Sequence, residues 1–328
     1  MVARKTAKST SINGRHASVV FVVGFLVVCA GVFAILGALN VFSDRGNESA
    51  VQDSEEQGKV EEKTEVASKP EESVEEKLPE KIDFQEVVET WAGSVGGNRS
   101  VLIYDLDRGE TVGSYNPLED YGTASLYKLF VVYEGYRRVQ SGEWDGEAKA
   151  GSTGYTINKC LDLAIRESYS PCAETLWAML GHDTLDIIIE NDYGIVNSDI
   201  SHLVSNAGDI LKIMQRFYAH PDFSDEKMVA AMWDSFLVQP VTTYNWRQGL
   251  PSGFSERAKV YNKVGWEYNS SGRYWNIYHD AAIVSFPEDT SSGTPERHFV
   301  VVVMTNRVDY SEIAKLGRML EAKYFQSK

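Results

Sequence analysis

The sequence predicts an α/β fold of the α+β kind: an antiparallel sheet flanked by helices, joined to an all-helical subdomain and preceded by one transmembrane helix. Three observations carry this expectation. Strand-like segments stand at both ends of a globular stretch whose middle reads as helices, so one sheet must gather strands from distant parts of the chain. An apolar run of 21 residues, 19–39, is long enough to cross the ~30 Å hydrocarbon core of a bilayer as a helix. Between the two lies a strongly charged segment almost without aromatic residues.

Residues 1–18 carry Arg4, Lys5, Lys8 and Arg15 and no acidic residue. They read as a basic cytoplasmic tail, and residues 19–42 as the anchor. Basic residues before the span and acidic residues after it place the rest of the chain outside. The run is longer than the apolar core of a cleavable signal, and Gly37-Ala38-Leu39 is only a weak cleavage site, which favours a retained anchor. Residues 43–82 hold 13 acidic and 6 basic residues. Such a segment cannot bury enough apolar surface to offset the entropy of ordering. It reads as a disordered acidic stalk of roughly 35 Å, longer if its charges repel.

From residue 83 to 328 the composition is globular. Residues 84–91 form an amphipathic helical pattern, and 100–105 and 111–115 read as strands around the turn Asp107-Arg108-Gly109-Glu110. Helices are expected over 125–140, 156–165, 173–180, 184–190, 207–218 and 225–236. Strands are expected over 258–264, 278–286 and 298–305, and a closing helix over 311–325.

The net charge of −15 argues against a nucleic-acid partner, because binding phosphates needs a basic face. The three cysteines form no C-x-x-C pair and the six histidines are scattered, so a metal site has little support, and no cofactor is implied. An oxidising exterior would favour a disulfide between Cys160 and Cys172, which a helix–turn–helix could bring close enough; the alternative is two buried free thiols.

The residues that carry chemistry begin with Ala124-Ser125-Leu126-Tyr127-Lys128. Positions three apart share a helical face, so the Lys128 amine would lie within reach of the Ser125 hydroxyl. A serine is a poor nucleophile until a base takes its proton. A lysine can be that base where burial lowers its pKa. Alone, the pattern is weak and better suits a capping serine followed by a surface lysine. The stretch SVLIYDLDRGETVGSYNPLEDYGTASLYKLFVVYEGYRRVQSGEW adds context: strand, turn, strand, loop, A-S-x-x-K helix. It resembles the opening of the class A β-lactamase and penicillin-binding-protein superfamily.

Two further motifs follow in the order that family shows. Ser168-Tyr169-Ser170 stands where it has S-D-N, with Tyr169 for Asp and Ser170 for Asn; a register starting at Ser170 is the alternative. Lys263-Val264-Gly265 stands where it has K-T-G, after the lead-in Gly249-Leu250-Pro251-Ser252-Gly253. The resemblance implies that Ser125 is acylated, that Lys128 takes its proton directly or through Ser168, and that Ser168 passes a proton to the leaving nitrogen. It also implies that Lys263 supplies positive charge for a substrate carboxylate and that Ser170, Val264 and Gly265 help bind substrate. An oxyanion would be held by the N–H of Ser125 and one from the strand after Gly265.

The departures matter. Ser170 reaches less far than Asn, and Val264 lacks the hydroxyl that the family uses on a substrate carboxylate, a contact worth on the order of 1 kcal/mol. The connection NDYGIVNSDISHLVSNAGD contains no glutamate to serve as the family's deacylating base. The expected function is therefore acyl transfer from a D-alanyl-peptide-like amide or a β-lactam, with poor deacylation. A weak or inactive module that binds cell-wall fragments is the rival, and a fold-sharing glutaminase a more distant one. His279-Asp280 does not suggest a triad, since neighbours on a strand face opposite ways. The aromatic residues Trp266, Tyr268, Tyr274, Trp275 and Tyr278 suit either a substrate groove or cross-strand packing.

Overall fold

The computed structural model describes residues 78–237, 246–268, 276–290, 293 and 295–327. The predicted tail, anchor and most of the stalk lie outside them, as do Tyr274 and Trp275. Among the described residues no helix is long and apolar enough to cross a membrane. The last residues assigned to the stalk are docked on the domain: Ile82 is buried, and the carbonyls of Pro79 and Glu80 accept hydrogen bonds from Arg108 and Arg297.

The described chain runs α1 (Gln85–Ser94), β1 (Asn98–Asp105), β2 (Glu110–Tyr115), β3 (Tyr121–Gly122), a 3₁₀ turn (Ala124–Leu126), α2 (Tyr127–Gln140), α3 (Ile157–Arg166), α4 (Ser170–Leu180) and α5 (His182–Asn191). It continues through β4 (Val204–Ser205), α6 (Ala207–Ala219), α7 (Glu226–Leu237), α8 (Leu250–Gly253), β5 (Lys259–Glu267), β6 (Ile277–Phe286), β7 (Arg297–Asn306) and α9 (Tyr310–Gln326). Five strands form one antiparallel sheet in the order β2-β1-β7-β6-β5. The N-terminal hairpin thus pairs directly with the C-terminal strand: Val101 lies opposite Val303 and Ile103 opposite Val301.

Alternation along the strands builds two cores. Val101, Ile103, Ala282, Val284, Val301 and Val303 face α1 and α9, where they meet Trp91, Ile313, Leu316 and Tyr324. Leu102, Ala281, Ile283, Val300, Val302 and Met304 face the helical half, chiefly α6. Because β7 is central and covered on both faces, Val300-Val301-Val302-Val303 is apolar without a break. β5 is the edge strand, and its free side runs past the 3₁₀ turn that carries Ser125.

The strand and helix expectations differ from the structure mainly at their ends. The helix expected over 125–140 opens instead as a 3₁₀ turn, and β3, β4 and α8 escaped notice, being too short to show a period.

Candidate active site

Three segments converge on one hydroxyl. Ser125 sits in the 3₁₀ turn, preceded by Ala124 at φ 43°, a left-handed conformation that non-glycine residues seldom adopt. The approach to this turn is held from several sides. The Thr123 N–H donates to the Leu203 carbonyl at 2.7 Å, and the Leu126 N–H donates to the Thr123 carbonyl at 3.0 Å. His279, buried on β6, donates from Nε2 to the Gly122 carbonyl at 2.8 Å and accepts the Thr305 N–H on Nδ1 at 2.9 Å. That pairing defines a neutral tautomer, and burial lowers the imidazole pKa to about 4. His279 therefore holds the backbone that leads to Ser125, with both ring nitrogens engaged in doing so. Asp280 faces the other way, accepting from the Leu250 N–H and Asn262 Nδ2 at 2.8 and 2.9 Å.

The second segment is the turn between α3 and α4. The N–H groups of Glu167 and Tyr169 both donate to the Leu163 carbonyl at 3.1 Å, and Ser168 between them takes φ 53°. This left-handed residue ends α3 and turns its hydroxyl and carbonyl inward. Cys160 on α3 and Cys172 on α4 form a disulfide, with Cα atoms 4.9 Å apart and both residues fully buried, so the two helices flanking Ser168 are tied together.

The third segment is β5. Gly265 has no room for a side chain: a Cβ there would lie 2.8 Å from the Thr123 carbonyl oxygen and 3.2 Å from the His279 Cβ. Glycine lets this edge strand press against the turn that carries Ser125. Gly249, in the lead-in, is similarly confined, because a Cβ would meet Asp280 Oδ2 at 2.2 Å.

Two buried amines meet at this junction. Lys128 Nζ donates to the Ser168 carbonyl at 2.5 Å and to Ser170 Oγ at 3.0 Å, with Ser168 Oγ at 3.4 Å. Lys263 Nζ donates to Ser168 Oγ at 2.9 Å and to the Val264 carbonyl at 2.7 Å. Burial disfavours the charged form of both. The Lys128 pKa falls to about 8, with the Glu174 carboxylate acting in the opposite sense. Lys263 is pushed well below its ordinary range by burial and by the charge of Lys128. Ser168 therefore stands between two amines whose charged forms burial disfavours. The Ser125 hydroxyl makes no hydrogen bond among the described residues, and Lys128 is directed to Ser168 and Ser170 rather than to it.

Not every candidate residue lies on the cleft. The Val264 side chain is buried on the opposite face of β5, among Leu250, Val260 and Ala282, and only its carbonyl turns towards Lys263. Trp266 lies on the cleft wall, across from Tyr278 in the β5–β6 ladder. Sequence reasoning missed the opposite wall. There Glu174 and Trp177 follow Ser170 at helical spacings of four and seven, and His182 stacks on Trp177 with ring centroids 4.1 Å apart. Together with Ser125 these residues bound an open cleft of about 600 Å³.

The model of the beta-lactamase enzyme family matches residues 83–324. The chain belongs to that family. Solved structures agree on the fold. A class A beta-lactamase reconstructed as the last common ancestor of Gram-negative bacteria superposes with a TM-score of 0.61 at 16% identity, covering 73% of this chain and 100% of that one. Beta-lactamases from Chitinophaga pinensis and Desulfarculus baarsii give a TM-score of 0.59 each, at 14% and 13% identity; the first pairing covers 73% of this chain and 98% of the other, the second 72% and 95%. No curated protein matches the chain. Membership makes this a serine hydrolase of the beta-lactamase class. Ser170 lies on the cleft, whereas the Val264 side chain is turned away from it.

Proposed function

We propose that the chain is a membrane-anchored, extracytoplasmic acyl-serine hydrolase, acylated at Ser125 by a D-alanyl-peptide-like amide or a β-lactam. The observation that carries this reading is the meeting of Lys128 and Lys263 at Ser168, beside a Ser125 hydroxyl with no hydrogen-bond partner among the described residues. Lys128, lowered by burial, accepts the Ser125 proton as Oγ attacks the carbonyl carbon. Ser168 relays a proton to the leaving nitrogen, and Lys263 restores it. The Ser125 N–H and the Trp266 N–H, on the free edge of β5, face the developing oxyanion. Lys263 also offers positive charge to an anionic group on the substrate, and Ser170 a hydrogen bond. Residues 19–42, with their apolar run 19–39, hold the enzyme at the cell membrane as a single pass, and the charged stalk from residue 43 up to the docked residues 79–82 lets the domain reach cell-wall peptides outside. The connection between α5 and α6 has no glutamate, so turnover of the acyl-enzyme is slow.

Intact-mass spectrometry of the full chain in detergent, followed over time with benzylpenicillin, tests the reading. The expected result is an adduct on Ser125 that Ser125→Ala abolishes. An adduct that persists in Ser125→Ala removes the nucleophile assignment. No adduct at all selects the second reading, a cell-wall-fragment binding module, which Ser170 and the inward-turned Val264 favour.

A further inference from the structure

Hydrolysis of an acyl-serine ester needs a base that draws a proton from the attacking water. The two buried lysines are directed to Ser168, which leaves four titratable side chains on the cleft walls: Tyr127, whose pKa burial raises so that it stays a neutral phenol, and Glu174, His182 and Glu267. The His182 ring lies stacked on Trp177. Glu267 ends the edge strand. Glu174 stands on α4 one turn beyond Ser170, whose hydroxyl is bonded to Lys128, so the carboxylate and that hydroxyl share a helical face. Its charge acts on both Tyr127 and Lys128, the first two residues of α2 directly after the turn that carries Ser125. Among the described residues the Glu174 carboxylate has no hydrogen-bond or ion-pair partner, and its exposure on an open cleft gives water access to it.

We propose that Glu174, working from helix α4, is the general base that hydrolyses the acyl-enzyme. This rests on the acyl-serine reading of Ser125. The carboxylate takes one proton from a cleft water as the water oxygen bonds to the acyl carbonyl carbon. The tetrahedral oxyanion collapses, the bond from that carbon to Ser125 Oγ breaks, and the acyl group leaves as a carboxylic acid. Oγ takes a proton from the Lys128 ammonium, and the proton held by Glu174 replaces it. Water is consumed, and no oxidant, metal or second substrate is required. A glutamate on a helix, held by no hydrogen bond among the described residues, is expected to give turnover that is slow without being absent.

The test follows adduct formation and decay separately, on the full chain in detergent, with benzylpenicillin and p-nitrophenyl acetate as acyl donors. Glu174→Gln is expected to acquire the Ser125 adduct and lose it roughly 10²-fold or more slowly than the wild type. Glu174→Ala should regain decay when formate is added, a rescue that a merely structural glutamate would not permit. Unchanged thermal melting of both variants checks the fold. An adduct on Glu174→Gln that decays within about threefold of the wild-type rate, a Glu174→Ala adduct that formate leaves untouched, or a wild-type adduct that never decays overturns Glu174 alone. No adduct on the wild type overturns the acyl-serine reading and this inference together.

Discussion

Replacing Lys128 by methionine separates what its amine does for chemistry from what it costs the fold. Lys128 is fully buried, and burial lowers its pKa from 10.5 to about 8. At pH 7 about one molecule in ten then carries the neutral amine, against roughly one in three thousand for an unperturbed lysine. The same displacement has a stability sign. The unfolded chain holds the proton up to pH ~10.5 and the folded chain only to ~8, so the penalty is complete below pH 8 and fades as pH rises between those values. Its size at neutral pH is roughly 3 kcal/mol. Methionine removes that penalty but also the bonds to the Ser168 carbonyl and Ser170 Oγ, worth about 1 kcal/mol each. The expected net effect at pH 7 is a gain of ~1 kcal/mol, a rise in Tm of about 2–4 °C. Acylation should meanwhile fall by roughly 10²–10⁴-fold. Stopped-flow acylation with p-nitrophenyl acetate reads the rate, and calorimetry reads the Tm. In the wild type the rate should climb about tenfold per pH unit and level off near pH 8. A Lys128→Met rate within about tenfold of wild type, or a flat wild-type profile, refutes Lys128 as the base.

Two further substitutions probe β5. Gly265→Ala should leave the protein folded yet lower acylation by roughly 10²-fold, because the new Cβ displaces the Thr123 carbonyl and with it Ser125; a wild-type acylation rate would mean the turn tolerates the shift. Val264→Thr places a hydroxyl in the apolar core under α9, so urea denaturation should report a loss of about 1–3 kcal/mol with no gain in acylation. A faster rate in that variant would show that the position does reach the substrate.

Much of the fold was legible because its periodicities are long. The alternating strands at both ends and the helical stretches between them lie close to where the sequence puts them, and the five-stranded antiparallel sheet follows from them. Cys160 and Cys172 were legible as a pair because twelve residues with a turn between two helices bring them together. What escaped notice was either short or directional. β3 and β4 are two residues each and show no period. The helix was expected to begin at Ser125, but Ala124 takes a left-handed conformation and a 3₁₀ turn intervenes. Val264 looked like a substrate contact, yet strand alternation sends its side chain to the face opposite Lys263, and no sequence pattern says which face of β5 meets the cleft. Glu174 was legible in principle as Ser170 plus one helical turn, but only once Ser170 was known to open a helix facing Ser125.

By itself the sequence determined which residues could do chemistry and in what order they occur, because residue type and local spacing are properties of the chain. The tertiary structure decided which of them meet. Ser168 is 40 residues from Lys128 and 95 from Lys263, and no local rule joins them. They converge because a left-handed residue turns the α3–α4 corner inward, because a disulfide ties the two helices there, and because an edge strand closes on the Ser125 turn where glycine leaves room. Direction in space is set by packing between distant segments, which local spacing does not encode.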